Sequence, residues 1–278
     1  MNPDSFILVL GSVDRLSKNI ISYMNINKHP YLMLNEKTVN TIKDIPCGQS
    51  LNDFNIEYLD GKKISFSNCT GILVNHFSVP LNSGVNEERF WSEWNAFFGG
   101  AILSSHNNVL NPPSSGSWCG EFPTIFRQIE LLESSKIGNI IFPSVEKYFE
   151  FSFGNGIFKK NMINEAFYIP CEYWEAVFYE ELKHETILEA SCCFVDDEFI
   201  FEGVQFDETK RILEKLASSF AKKTNSRIGE IGVFIIGGKH CFRYALTRPI
   251  LNSFTGIRRY EIVEKIYAAL VNEKGIMI

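Results

Sequence analysis

The sequence predicts an α/β N-terminal domain over residues 1–115, followed by α+β antiparallel-sheet lobes over residues 116–278. Three observations carry this. The apolar runs 6–10 and 31–34 are separated by one helix-length segment, which reads as a βαβ opening. Beyond about residue 174 the pattern changes to short apolar runs joined by tight turns, as in antiparallel strands. A chain of 278 residues that is 45% hydrophobic, with no internal repeat or low-complexity tract, can bury one large core or two modest ones.

The elements follow in order. The first strand, 6–10, ends at Gly11, and a helix runs to about Met24 before the second strand at 31–34. Runs 55–59 and 62–66 alternate around Asp60-Gly61, a strong short-range hairpin signal. Residues 71–77 read as a buried strand, and 87–103 as a helix with Phe90, Trp91, Trp94, Phe97 and Phe98 on roughly one face. Val109-Leu-Asn-Pro-Pro113 closes the segment. A helix over 124–135 and a strand over 140–142 come next, then strands at 177–179, 190–195 and 198–204, the last two around an Asp196-Asp197 turn. Asp207 is placed to N-cap a helix reaching Asn225, with Ile212, Leu213, Leu216, Ala217 and Phe220 as its buried stripe. Runs 231–236 and 241–246 flank Gly237-Gly238 as a hairpin, and an amphipathic helix over 260–270 closes the chain.

Charge and cysteine usage narrow the function classes. Twenty-seven Lys and Arg against 33 Asp and Glu give a net charge of −6, which argues against broad attraction to nucleic acid or an anionic membrane. The seven cysteines contain no Cys-x-x-Cys pair and are odd in number, so we expect a reduced, cytoplasmic protein. The N-terminus has no cationic region, and the run 6–10 is too short for a signal sequence or a membrane span. The histidines at 29, 76, 106, 184 and 240 have no metal-ligand spacing. Asp196-Asp197-Glu198 reads as a hairpin turn rather than a cation site, and Cys192-Cys193 as buried small hydrophobes.

Val109-Leu-Asn-Pro-Pro113, the helix segment Arg127-Gln128-Ile-Glu-Leu-Leu132, and the stretch from Gly138 to Pro143-Ser144 together resemble the ATP-grasp superfamily, in particular graspetide synthetases and ribosomal-protein glutamate ligases. The resemblance implies an ATP-grasp-like architecture, truncated: a pre-ATP-grasp-like domain over 1–115, and an ATP-grasp-like domain over 116–278 with a shortened phosphate-binding subdomain. It also implies an adenine hinge at Phe178-Tyr-Glu-Glu-Leu182, giving Glu180, Glu181 and Leu182 as cofactor-binding candidates. In Phe153-Gly-Asn-Gly-Ile-Phe-Lys-Lys160, Lys159 and Lys160 are candidate phosphate contacts, although the composition of this stretch favours an ordinary surface turn.

The departures from the family matter more. Aligned on its Gly turn and Pro249, the closing hairpin has Gly232 where the family has Asp, Ala245 where it has Glu, and Thr247 where it has Asn. Phosphoryl transfer needs magnesium and fixed cations to neutralise the transferring group. We therefore expect no metal site and no cofactor. The reading is a catalytically degenerate ATP-grasp-like protein that binds a peptide or partner enzyme in a peptide-modification or natural-product pathway. Arg243, Arg248, Arg258 and Arg259 are candidates for holding an anion or acidic peptide, or alternatively form a solvated rim. Two alternatives stand beside it: an active, divergent carboxylate-amine ligase using ATP and magnesium through an acyl phosphate, and a non-enzymatic assembly protein of unrelated α/β fold.

Overall fold

The computed structural model describes residues 5–11, 13–45, 53–74, 85–103, 108–111, 123, 125–138, 140–142 and 187–271. The chain forms two compact units. The first comprises Met1–Glu121, Asn225–Ile228 and Arg259–Ile278, and the second Phe122–Thr224 and Gly229–Arg258.

The first unit opens with β1 (Phe6–Leu10), α1 (Arg15–Ile26) and β2 (Tyr31–Leu34). Every residue of β1 is buried, as expected of a strand covered on both faces. Asp14 caps α1 by accepting the Ser17 amide at 2.8 Å, and Leu16, Ile20, Tyr23 and Met24 form its buried stripe. The short helix α2 (Glu36–Val39) has a capping box at Asn35. Next come β3 (Ile42–Asp44), β4 (Asn55–Tyr58), β5 (Lys63–Ser65), one 3₁₀ turn, β6 (Cys69–Val74), α3 (Val85–Leu103) and β7 (Asn108–Val109). The main sheet has strand order β2-β1-β6-β7 and is parallel throughout, while β3, β4 and β5 form a separate antiparallel sheet. Phe98 and Ile102 of α3 join Leu8, Leu10, Phe66 and Ile72 in the core. Phe97 is partly exposed and stacks on Phe54 at 5.4 Å; the side chains of Phe90 and Trp91 lie outside the described residues.

The second unit contains α4 (Ile125–Glu133), β8 (Ile140–Ile141), β9 (Ile187–Val195), β10 (Glu198–Glu202), α5 (Asp207–Thr224), β11 (Ile228–Ile236) and β12 (Lys239–Leu246). One five-stranded sheet runs β10-β9-β11-β12-β8, with β11 central and buried along its whole length. The predicted stripe of α5 is its buried face and meets Ile129 and Leu132 of α4 in one apolar cluster. Polar contacts pin the two helices: Ser135 Oγ lies 2.6 Å from Ser219 Oγ, and Lys223 Nζ donates to the Leu131 carbonyl and to Ser134 Oγ.

The chain closes with α6 (Gly256–Val271). In the first unit, Asn108 Nδ2 donates to the Ala269 carbonyl at 2.9 Å. Two sequence expectations are corrected. Asp207 is the first residue of α5 rather than the residue before it. The regular alternation expected along 241–247 is broken by a β-bulge, with consequences given below. The strand expected at 177–179 lies outside the described residues, as do 75–77 of the strand expected at 71–77.

Candidate functional site in the closing hairpin

Outward from the Gly237-Gly238 turn, β11 and β12 pair regularly: Ile236 with Lys239, Ile235 with His240, Phe234 with Cys241, and Val233 with Phe242. The next pair is Gly232 with Tyr244, which leaves Arg243 as the extra residue of a bulge. A one-residue slip exchanges the faces of every side chain beyond it. Without the bulge Gly232 would oppose Arg243, and Ala245 and Thr247 would share the face of Gly232. With it, Tyr244 takes that face and Ala245 falls opposite Ile231, in the apolar cluster under α4 and α5. The three positions compared with the family's metal ligands therefore do not converge on one face.

Gly232 is where the hairpin needs a missing side chain. A Cβ there would stand 2.5 Å from Tyr244 Cε1 and 2.7 Å from its Cζ, so the Tyr244 ring lies flat over the glycine. Its hydroxyl donates to Glu230 Oε1 at 2.6 Å and lies 3.0 Å from Ser253 Oγ and 3.4 Å from Ser191 Oγ. The other oxygen of Glu230, Oε2, accepts the Ile250 amide at 2.9 Å and the Leu251 amide at 2.8 Å. Leu251 adopts φ 59°, and the resulting bend aims two successive amides at one carboxylate, an anion-holding concavity built from the backbone. Glu230 itself has no solvent exposure.

These contacts compete. Burial pushes the Glu230 carboxyl above the usual carboxylate range, against the pull of the Tyr244 hydroxyl, the Leu251 and Ile250 amides and the Arg243 charge. Burial, with the Glu230 charge and hydrogen bond, drives the Tyr244 phenol well up, so it stays a proton donor. Glu230 is thus a lock between the hairpin and the segment that follows it.

Arg243, the bulge residue, lies over the Phe234 ring at 4.7 Å and reaches Glu189 Oε2 on β9 at 2.7 Å. Its side chain keeps 11% of its exposure, against 51% for Glu189. Arg248 and Arg259 are half-buried and Arg258 is exposed. Lys159, Lys160, Glu180, Glu181 and Leu182 lie outside the described residues. Gln128, singled out in the sequence as a helix Gln, has a clear structural role: its Oε1 accepts the Ala245 amide at 2.8 Å, and its Nε2 donates to the Pro123 carbonyl at 2.9 Å. In the first unit, Asn111 of the Asn-Pro-Pro run sits at φ 52° and clasps the start of β11. Its Oδ1 accepts the amides of Arg227 (2.8 Å) and Ile228 (3.1 Å), and its Nδ2 donates to the Ile228 carbonyl (3.0 Å).

Sequence reading missed the Glu230–Tyr244 pair. The signal that could have found it was a glutamate within an otherwise apolar strand, because a buried carboxylate demands donors. Magnesium requires a near-octahedral oxygen set, usually with one or two carboxylates. The hairpin face of Gly232 does not fit it: its carboxylate is sealed and already bound by three donors, and its neighbours there are Gly232, Phe234 and Tyr244. Among the described residues, no three His, Cys, Asp or Glu side chains cluster to hold a metal ion. No helix among them is long and apolar enough to cross a membrane.

No protein-family model matches the sequence, and no curated protein matches it. Solved structures do match. Macrocyclase MdnC from Microcystis aeruginosa MRC, bound with precursor peptide MdnA, is similar with TM-score 0.61 and 12% identity, over 96% of this chain and 100% of that one. ATP-grasp ligase PsnB, complexed with minimal precursor, Mg and ADP, is similar with TM-score 0.60 and 13% identity, over 96% and 97%. A Chryseobacterium gregarium RiPP-associated ATP-grasp ligase in complex with ADP and a leader and core peptide is similar with TM-score 0.57 and 13% identity, over 96% of each chain.

Proposed function

Because this chain has the ATP-grasp fold, we propose that it binds a peptide within a peptide-modification system and that its closing hairpin no longer serves metal–nucleotide chemistry. The observation that carries the second half is the face of Gly232. There Tyr244 covers the glycine and Glu230 is spent on an internal lock, so the strand pair holds itself together where a ligase would project oxygens. The first half is supported by similarity of fold: MdnC and PsnB are both seen with precursor peptides.

The test is ADP release by the purified chain with Mg-ATP and a carboxylate-bearing peptide. No Mg-dependent ADP above buffer is expected. Steady, peptide-stimulated ADP formation would overturn the reading in favour of an active carboxylate-amine ligase working through an acyl phosphate. PsnB, complexed with Mg and ADP, is the precedent for that outcome.

A further inference from the structure

The second unit has an open groove of about 940 Å³ where the end of α4 meets the outer face of α5. Its walls carry four lysines, Lys136, Lys215, Lys222 and Lys223, against one carboxylate, Glu214, and Phe199 and Ile137 give it apolar surface. This is a cationic concavity on a chain of net charge −6.

Lys215 and Lys222 are not explained by ordinary helix-surface pairing. On an exposed helix face a lysine is commonly matched by a carboxylate three or four residues away. Here the residues at those distances from Lys215 are Arg211, Ile212, Ser218 and Ser219, and from Lys222 they are Ser218, Ser219, Asn225 and Ser226. Serines between long lysines also account for the hollow itself, because their short side chains leave the space open. Lys222 and Lys223 complement the helix C-terminus, and Lys223 is tied to Leu131 and Ser134. Lys215, midway along α5, has no such duty.

We propose that this groove docks an acidic segment of a peptide that also carries apolar side chains, its carboxylates meeting Lys136, Lys215 and Lys222 and its apolar groups meeting Phe199 and Ile137. The proposal deepens the peptide-binding half of the function above by naming the peptide's chemistry. It is independent of nucleotide.

The experiment is fluorescence anisotropy of a labelled twelve-residue probe of alternating acidic residues and Phe or Leu, titrated with the full chain without ATP or magnesium. Three further samples are the same probe with Gln for each acid, the variant Lys215→Glu/Lys222→Glu, and the control Lys37→Glu/Lys62→Glu, which makes the same charge change in the first unit. The expected result is saturable binding of the acidic probe, weakened at least tenfold by the groove variant and less than twofold by the control, and absent for the Gln probe. Equal weakening by both variants would show diffuse attraction and overturn the proposal, as would a groove variant that binds like wild type, no binding of the acidic probe, or equal binding of the Gln probe. Lys215→Ala/Lys222→Ala should lie between wild type and the charge reversal. ADP formation in the earlier assay would refute the degenerate-hairpin reading and leave this result untouched.

Discussion

Replacing Tyr244 by Phe removes one oxygen from a buried site. That oxygen donates 2.6 Å to Glu230 and lies within 3.4 Å of two serine hydroxyls. A hydrogen bond to a charged group contributes about 1.5–3 kcal/mol, and one to a neutral group about 0.5–1.5 kcal/mol. The cost therefore depends on the state of Glu230, whose carboxyl burial has pushed up. A carboxyl raised in the folded state binds more protons there than in the unfolded chain. Its stabilising contribution is complete below the usual carboxylate range and is lost as pH rises through the folded value. The Tyr244 hydroxyl lowers that folded value, so losing it raises the value further and widens the pH window of loss. We expect Tyr244→Phe to cost about 1 kcal/mol where Glu230 is protonated and about 2 kcal/mol where it is ionised, so the loss grows as pH rises; at about 2–4 °C per kcal/mol, the melting temperature falls by about 4–8 °C once Glu230 is ionised. Hydrogen exchange at the Ile250 and Leu251 amides gives a local reading, since both donate to Glu230, and should accelerate in the variant increasingly as pH rises, after correction for intrinsic rates. A pH-independent loss, or unchanged protection of both amides, would refute the lock.

Glu230→Gln should flatten the pH dependence of stability above the usual carboxylate range and exceed wild type at the alkaline end, because Gln keeps an acceptor for the two amides without a charge to desolvate; thermal melts across pH check this. Gly232→Asp should destabilise by about 1–3 kcal/mol through collision with the Tyr244 ring, without creating magnesium affinity by calorimetry. Asn111→Ala should cost about 2–3 kcal/mol in urea denaturation, since three hydrogen bonds to Arg227 and Ile228, two of them buried, are lost together.

Periodicity made much of this fold legible. The apolar runs at 6–10 and 231–236, the stripe of α5 and the turns at Asp196-Asp197 and Gly237-Gly238 all reflect local rules of period and turn chemistry, and all appear in place. The hairpin's inner chemistry was not legible, because it depends on one bulge. Counted regularly from the turn, Glu230 opposes Ala245 and Tyr244 lies on the far face. The bulge at Arg243 moves Glu230 opposite Leu246 and brings the phenol over Gly232. Nothing in alternating hydrophobicity marks one extra residue in a strand whose two faces are both buried. The absence of Asp, Glu and Asn at 232, 245 and 247 could be read directly, whereas the tyrosine standing over Gly232 required the register.

The central claim is that the hairpin holds itself rather than a metal-bound nucleotide. Calorimetric titration of the purified chain with ATP, with and without magnesium, tests it most directly. The account predicts no heat of binding up to millimolar nucleotide in either condition, whereas micromolar, magnesium-dependent binding would contradict it.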